Sequence, residues 1–409
     1  MSSLENILTF CVNLSREMIL SGANLERVHT SIEIICRAYG LKDVSIFLLS
    51  THISLSAYDK EGNYAARQAS IKSAGINLER LKNLNQLSYK IADITPSPRL
   101  LEKMLERSLE TRDYPGWIIL TARIVAMSCL CFMFGGGVID LIPVGIVTAL
   151  IHFMLLILEN TGLDKIVINS LTMFIATIAA IFFVYLGVGK DLAAVIITIS
   201  MLVIPGIPLV NAARNLLCGR ENNGILQIFK IFIETMALGT GIYVALSILK
   251  DYVTITGFSA PLATPYLLII LSFIASMSFG VVFRIAPKDL YLAGLGGALT
   301  RISLLLLAPA NFSRLLYMTI SASVAALYAE FWAVKRRQPS TYFTYPSIIP
   351  LIPGDLFFYS LTGFFFGDFQ RVTSYGTNCL LSLLGLSIGF VLSSTVSHYV
   401  RRIRFACSM

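Results

Sequence analysis

Apolar positions follow two different patterns along the chain, and the pattern changes near residue 116. Before that point, apolar residues recur at helical spacing in four segments. Between the second and third of these, they alternate with polar residues as strands do. The expected helices cover about 7–20, 24–39, 78–91 and 97–111, and the expected strands cover about 44–49, 53–58 and a segment from Tyr64 onward. Residues 1–116 are therefore predicted to form an α+β domain with its own core.

Beyond residue 116 the apolar residues form long runs separated by short polar segments. A helix needs about 20 apolar residues to span the hydrocarbon layer of a membrane. Ten runs meet this requirement, over about 117–138, 140–158, 165–187, 191–213, 226–249, 263–285, 289–308, 312–334, 342–366 and 374–399. The sequence therefore predicts an α-helical polytopic membrane protein with ten transmembrane helices behind an N-terminal domain.

Composition agrees with this division. Of the 409 residues, 56% are hydrophobic and only 14% are charged, whereas soluble domains average about 25% charged residues. Residues 1–116 contain 14 Lys+Arg and 13 Asp+Glu, and residues 117–409 contain 18 and 11. The net charge of +8 is spread over the short segments between apolar runs, so no basic patch for nucleic acid is expected.

Basic residues are distributed unequally between the two ends of the predicted helices. If the first helix begins in the cytoplasm, twelve basic residues lie at cytoplasmic ends and four at outer ends. The cytoplasmic group is Lys165, Arg214, Arg220, Lys230, Arg284, Lys288, Lys335, Arg336, Arg337, Arg401, Arg402 and Arg404, and the outer group is Lys190, Lys250, Arg314 and Arg371. This bias predicts an inner-membrane protein with both termini in the cytoplasm. Residues 1–20 contain no apolar signal-peptide core.

The apolar part of the chain repeats itself. Ile204-Pro205-Gly206 recurs as Ile352-Pro353-Gly354, at an offset of 148 residues. Further matches at offsets of 148 or 149 pair Leu238 with Leu386, Gly241 with Gly389, Asp140 with Asp289, and Gly145 with Gly294. The expected repeats are 117–250 and 251–409, the second with a short basic tail. Since each holds five helices, an odd number, the second must be inverted, an architecture typical of secondary transporters.

Proline and glycine interrupt corresponding helices of the two repeats. The fourth helix contains Pro205, Gly206 and Pro208, and the ninth contains Pro353 and Gly354. Proline removes a backbone donor and frees a carbonyl, and such groups must be satisfied by protein, water or solute inside a membrane. Two facing breaks would bind a small zwitterionic or anionic solute. A pair of simple proline kinks is the alternative.

Few polar side chains lie at membrane depth, so each is a candidate for function. They are Asp355 after the second break, Asn211 after the first, Glu234 in the fifth helix, and His152 and Arg301 at matching positions of the repeats. A carboxylate could carry a coupling proton, and an arginine could bind a substrate carboxylate. Structural ion pairing or a position at a helix end is the alternative for Asp355 and Glu234. Arg123 is interpreted as an interface anchor.

No pattern in the chain predicts an enzyme. Residues 1–116 lack a glycine-rich phosphate loop, and His29 and His52 lack spaced metal-ligand partners. The seven cysteines, one of them Cys407, are expected to be reduced thiols. No catalytic residue, metal or cofactor is therefore predicted. The expected partners are membrane lipid, a small-molecule solute, protons and a second copy of the chain, with no nucleic acid.

Several motifs together resemble the threonine/serine exporter family over nearly the full length of the chain. They are Ser21-Gly22-Ala23-Asn24-Leu25-Glu26-Arg27-Val28, Ile76-Asn77-Leu78, Phe134-Gly135-Gly136-Gly137 with Asp140, Ile204-Pro205-Gly206-Ile207-Pro208-Leu209-Val210-Asn211, and Pro350-Leu351-Ile352-Pro353-Gly354. The resemblance implies a cytoplasmic N-terminal domain, ten helices and proton-driven efflux of threonine or serine. Asn215 stands where this family often has an acidic residue.

Two other functions remain open from the residues. Some relatives divide the two halves between separate polypeptides, and that type is linked to export of dicarboxylates such as succinate. Arg301 and His152 favour such a doubly anionic solute. The second open function is that of a membrane sensor in which residues 1–116 bind a metabolite. A sensor, however, would need neither an inverted repeat nor paired helix breaks.

Overall fold

The structure, a computed structural model, describes residues 3–71, 75–111, 113–249, 263–310 and 312–406. Lys250, residues 251–262 at the predicted repeat boundary, Cys407 and the side chains of the basic tail lie outside this part. The chain forms two compact units. The N-terminal unit comprises Met1–Tyr114, Phe283–Asp289 and Ala329–Phe343, and the helical unit comprises Pro115–Val282, Leu290–Tyr328 and Thr344–Met409.

Residues 3–109 of the N-terminal unit form four helices and a small antiparallel sheet, as the apolar pattern predicts. The elements are α1 (Ser3–Leu20), α2 (Leu25–Ala38), β1 (Lys42–Leu48), β2 (His52–Tyr58), β3 (Tyr64–Ser70), α3 (Leu78–Ile94) and α4 (Pro98–Leu109). The sheet order is β1-β2-β3. Ile53, Leu55 and Ala57 on one face of the central strand are fully buried, because alternate residues of a strand point to the same side. They share the core with Leu8 and Leu81.

Two helices of this unit begin with the same sequence. Gly-x-Asn-Leu-Glu-Arg starts at Gly22 and again at Gly75. In α2 the Asn24 side chain accepts a hydrogen bond from the backbone N–H of Arg27, and in α3 Asn77 accepts one from Arg80. An asparagine at this position satisfies a donor that the helix itself cannot pair. The repeated motif therefore sets both helix starts.

Eight helices of the described part are long and apolar enough to cross a membrane. They are α5 (Gly116–Met133), α6 (Leu141–Leu158), α7 (Lys165–Tyr185), α10 (Glu221–Ile248), α11 (Pro265–Val282), α12 (Leu290–Leu307), α13 (Arg314–Arg336) and α16 (Phe369–Ala406). Each coincides with a segment predicted from the apolar pattern. The six cysteines in the described part are free thiols.

The predicted fourth and ninth spans are each divided into shorter helices. The fourth consists of α8 (Leu192–Ser200) and α9 (Gly206–Leu217), and the ninth consists of α14 (Thr341–Ser347), a 3-10 turn at Ile349–Leu351 and α15 (Gly354–Phe366). Neither is a continuous helix long enough to span a membrane. The count of ten transmembrane helices therefore stays a prediction, whereas the interruptions at Pro205 and Pro353 are observed.

Glycines that match between the halves allow the same kind of close helix contact. A Cβ atom on Gly241 of α10 would lie 2.2 Å from the Ser170 carbonyl oxygen of α7, and one on Gly389 of α16 would lie 2.6 Å from the Thr319 carbonyl oxygen of α13. No real Cβ atom approaches backbone so closely. Small residues of this kind let helix backbones come together in a membrane.

Two matching aspartates also have similar partners. Asp140, only 2% exposed, accepts hydrogen bonds from the backbone N–H groups of Lys190 (2.6 Å) and Asp191 (3.0 Å), directly before α8. Asp289, fully buried, accepts one from Gln338 Nε2 (3.2 Å), shortly before α14. Each aspartate therefore binds the segment that leads into the interrupted helix of its own half.

Replacing Gly241 by alanine is expected to lower the free energy of unfolding by about 1–3 kcal/mol, because the added methyl group would force α7 and α10 apart. Gly145→Ala is the matched control, since its Cβ would meet Ile124 Cγ2 at an ordinary 3.6 Å. Thermal unfolding of the purified protein in one detergent provides the comparison. Equal midpoints for the two variants would contradict the close approach at Gly241.

Candidate functional site

The two helix interruptions have the same backbone conformation. Pro205 has φ −78° and ψ 63°, and Pro353 has φ −79° and ψ 60°. In each, the N–H of the following glycine donates to the carbonyl two residues back, from Gly206 to Ile204 (2.9 Å) and from Gly354 to Ile352 (2.8 Å). This is an inverse γ-turn, and proline favours it because its ring restricts φ to this region.

The two interruptions pack against each other within the helical unit. A Cβ atom on Gly206 would lie 3.1 Å from Cγ2 of Ile352, and one on Gly354 would lie 2.1 Å from the Met201 sulfur. The glycine of each break therefore meets a residue that shortly precedes the other break. The Asn211 side chain of α9 adds a polar link, since its Nδ2 donates to the Tyr345 hydroxyl of α14 at 3.0 Å.

A buried apolar cluster surrounds the breaks and joins them to neighbouring helices. Val210 of α9, Leu351 before the second break and Leu356 of α15 pack with Ala322 of α13 and Leu386 of α16. Residues next to both breaks therefore pack against other helices, as non-helical backbone at membrane depth must.

Arg301 of α12 reaches the second break. Its Nη2 lies 3.5 Å from the Pro350 carbonyl oxygen, and its Nε donates to the Ser272 hydroxyl of α11 at 3.0 Å. The Pro350 carbonyl would pair with the N–H of residue 353 in a continued 3-10 helix, but proline has none. It would pair with Gly354 in an α-helix, but that N–H is used in the γ-turn. The guanidinium therefore binds a carbonyl that the break itself exposes.

Asp355 lies in the first turn of α15 and is partly buried. Its carboxylate interacts electrostatically with Arg301 and Arg314, and it accepts a hydrogen bond from the backbone N–H of Leu356. A carboxylate is also favoured at a helix N-terminus by the helix dipole. The structure thus brings together Asp355, Arg301 and the Pro353-Gly354 break, three features that the sequence singled out separately.

His152 pairs with Arg123, whose position in the sequence indicated an anchor at the membrane interface. Arg123 Nη1 of α5 lies 2.6 Å from Nδ1 of His152 on α6, and the histidine is only 7% exposed. Because a guanidinium can only donate, Nδ1 must accept, and the ring proton is on Nε2. The same offset of 149 relates Arg123 to Ser272 and His152 to Arg301. The repeat offset could therefore have identified Arg123 from the sequence as a possible partner of His152.

The remaining predicted residues lie in other surroundings. Glu234 of α10 is 6% exposed, and its Oε2 lies 3.6 Å from Nζ of Lys165 on α7. Its Oε1 has no hydrogen-bond partner among the described residues. Pro208 is exposed in the first turn of α9, where a helix needs no N–H donor. Asn215 donates to Gln227 Oε1 of α10 at 3.0 Å.

Among the described residues, no group of three or more His, Cys, Asp or Glu side chains could hold a metal ion. The polar groups described near the breaks include backbone amides and carbonyls, the Arg301 guanidinium, the Asp355 carboxylate, the Asn211 carboxamide and the Tyr345 hydroxyl. Such groups bind small polar solutes through hydrogen bonds and charge.

Multiple apolar helices, two of them interrupted around polar groups, define a polytopic membrane protein of the transporter class. The particular family follows from comparison with known proteins. A threonine/serine exporter family model matches residues 9–249, and a second, described as "Threonine/Serine exporter, ThrE", matches residues 268–396. The chain belongs to the threonine/serine exporter family, as its motifs predict.

Curated relatives are distant but cover much of the chain. The "Probable threonine/serine exporter" of Mycobacterium tuberculosis is 22% identical over 383 residues, which are 89% of this chain and 71% of the relative. The "Probable succinate transporter subunit YjjP" of Klebsiella aerogenes is 20% identical over 60% of this chain and 95% of its own length. Its namesake in Escherichia coli is 22% identical over 58% and 93%. No solved structure matches the chain.

Replacing His152 by leucine is expected to lower the free energy of unfolding by about 1–3 kcal/mol, because Arg123 loses a buried acceptor. His152→Asn should cost much less, since its Oδ1 is bonded to Cγ, as Nδ1 is, and can accept the same hydrogen bond. Thermal unfolding in one detergent distinguishes the two. If the leucine and asparagine variants are equally stable, the Arg123–His152 hydrogen bond does not stabilise the fold.

Proposed function

We propose that the chain is a secondary active exporter of threonine and serine that works by alternating access around the two helix breaks. The observation that carries this proposal is the pair of identical γ-turns at Pro205 and Pro353, which pack against each other. Discontinuous helices with free backbone groups are a recurring solute site in secondary transporters. Membership of the exporter family and the relative named as a threonine/serine exporter support the substrate class.

The proposed architecture is ten helices in two inverted repeats, 117–250 and 251–409. Support comes from matching contacts at constant offsets: the two γ-turns, the close approaches at Gly241 and Gly389, and the partners of Asp140 and Asp289. An odd number of helices per repeat requires the inversion. The basic residues at alternate helix ends favour an inner-membrane protein with both termini, and the domain of residues 1–116, in the cytoplasm.

Each end of an amino-acid solute has a candidate partner near the breaks. Arg301 would bind the carboxylate, displacing its contact with the Pro350 carbonyl, and Asp355 would pair with the ammonium group or exchange a proton. The backbone around Pro205-Gly206 and Pro353-Gly354 and the Asn211 carboxamide would supply hydrogen bonds. Pro208 is exposed on α9. It would contribute only by favouring the start of that helix.

Proton coupling is the proposed driving mechanism, and three groups are candidates for it. Asp355 is closest to the breaks. Glu234 is buried and has one oxygen with no hydrogen-bond partner among the described residues. His152 would have to release Arg123 to accept a second proton, because its Nδ1 is the acceptor of their hydrogen bond. We favour Asp355, since its carboxylate also interacts electrostatically with the arginine that would bind solute.

Export of a dicarboxylate is a second candidate. Arg301 contacts the Pro350 carbonyl at the second break, and an arginine suits a carboxylate of such a solute. Arg123, paired with His152, is a further partly buried arginine of the apolar helices. The two relatives named as succinate transporter subunits support the same reading. This solute would leave Asp355 without an ammonium group to bind.

Flux from proteoliposomes preloaded with labelled threonine, serine or succinate tests the substrate. Threonine and serine are expected to leave faster when a proton gradient is imposed, with empty liposomes as the control. Succinate flux alone would assign the dicarboxylate function. Flux of none of the three, from protein that is folded and inserted, would favour a sensor in which residues 1–116 bind a metabolite.

Asp355→Asn is expected to reduce threonine flux about tenfold or more, because a hydrogen bond to a charged group contributes roughly 1.5–3 kcal/mol. Asp368→Asn is the matched control, since Asp368 forms an ion pair with Arg371 at the start of α16. Efflux rates are measured at equal amounts of inserted protein. Unchanged flux in Asp355→Asn, or in Pro353→Ala or Gly354→Ala, would rule out this site.

A further inference from the structure

The N-terminal unit contains two segments from far along the chain. Phe283–Asp289 connects α11 to α12, and Ala329–Phe343 includes the end of α13 and the start of α14. Both distal segments lie in the region matched by the second family model, which begins at residue 268. Residues 9–114 lie in the region matched by the first. This unit therefore joins two parts of the chain that the family models treat as separate modules.

Tyr342 is the central contact of this junction. Its side chain is fully buried. Its hydroxyl donates to Glu79 Oε2 of α3 at 3.0 Å and accepts from the backbone N–H of Ala286 at 2.8 Å. Lys82 forms an ion pair with Glu79, and its Nζ lies 5.8 Å from the centre of the Tyr342 ring. One hydroxyl group thus links α3 to both distal segments.

Further contacts surround this hydroxyl on the first distal segment. The Leu78 N–H, at the start of α3, donates to the Phe283 carbonyl at 2.9 Å. The Tyr114 hydroxyl donates to the Ile285 carbonyl at 2.6 Å, and Arg284 pairs with Asp113 at 3.2 Å. Burial raises the pKa of Tyr114 to about 12, so this hydroxyl keeps its proton at neutral pH.

The second distal segment is bound in turn to the first. Asp289, fully buried, accepts a hydrogen bond from Gln338 and lies 3.7 Å from Nε of Arg336. Gln86 of α3 donates weakly to the Arg337 carbonyl at 3.4 Å. Helix α3 and both distal segments therefore contact one another.

We propose that residues 1–114 are a docking domain for the second module, which they bind through Glu79, Tyr114 and the Tyr342 hydroxyl. The bound segments continue directly into α12 and α14, and α14 precedes the Pro353-Gly354 break. Residues 1–114 thereby hold the two segments of their own unit that precede these helices. The docking is independent of what the protein carries, and only its effect on solute flux rests on the proposed function.

Amide hydrogen exchange of the full-length protein tests the docking. Tyr114→Phe removes one contact to Phe283–Asp289 and none to α14. We expect exchange in residues 341–347 to become about fivefold faster, the factor that corresponds to one lost hydrogen bond. Tyr39→Phe is the matched control, because the Tyr39 hydroxyl also donates to a carbonyl at 2.6 Å, that of Pro96, and its pKa is also raised to about 12. Tyr39 and Pro96 both belong to residues 1–114, so removing the Tyr39 hydroxyl should leave exchange in residues 341–347 unaffected.

Faster exchange confined to residues 283–289 in Tyr114→Phe, or an equal effect of Tyr39→Phe at 341–347, would overturn the proposal. Tyr342→Phe, which keeps the ring and removes only the hydroxyl, should increase exchange in both distal segments. If the protein transports solute, Tyr114→Phe and Tyr342→Phe should alter the maximal flux and leave the half-saturating concentration unchanged, since neither residue is placed near solute. Absence of flux in the unmodified protein would refute the exporter and leave the exchange result to decide the docking.

Discussion

Backbone polar groups at membrane depth need partners from the protein, and this constraint governs the two interrupted helices. Pro205 and Pro353 remove N–H donors, and each following glycine turns back to the carbonyl two residues earlier. This leaves the Pro350 carbonyl for the side chain of Arg301. The contact between this carbonyl and the Arg301 guanidinium is long, at 3.5 Å, and a polar solute can compete for both groups. The same interruption therefore accounts for the fold of these segments and for the candidate site.

The two halves share their packing and differ in their charges. Gly241 and Gly389 allow the same close approach of helix backbones. The arginine, however, is on α5 in the first half, where Arg123 meets His152, and on α12 in the second, where Arg301 meets Ser272. Only the second break is contacted by an arginine in the described contacts. A solute bound between the breaks would thus meet different chemistry at its two ends.

The N-terminal elements were largely predictable because their signals are local. Asn24 and Asn77 begin helices within a few residues of where they stand, and Ile53, Leu55 and Ala57 alternate on one strand. The partners of Tyr342 were not predictable in this way, since Glu79 lies 263 residues away along the chain. A tyrosine in an apolar run gives no indication of which distant carboxylate will accept a hydrogen bond from its hydroxyl. The role of Arg123 was missed for a similar reason, although the repeat offset could have linked it to Ser272.

The sequence by itself determined the apolar segments, the positions of the helix breaks and the family of the protein. These depend on residue type and spacing along the chain: an apolar run long enough to span lipid, a proline that cannot donate, a motif repeated at constant offset. Only the tertiary structure decided which charges meet. It joined Asp355 and Arg301 at one break, paired Glu234 with Lys165, and attached residues 1–114 to segments beyond residue 282. Electrostatic and hydrogen-bond partners depend on distance in space, which spacing along the chain does not specify.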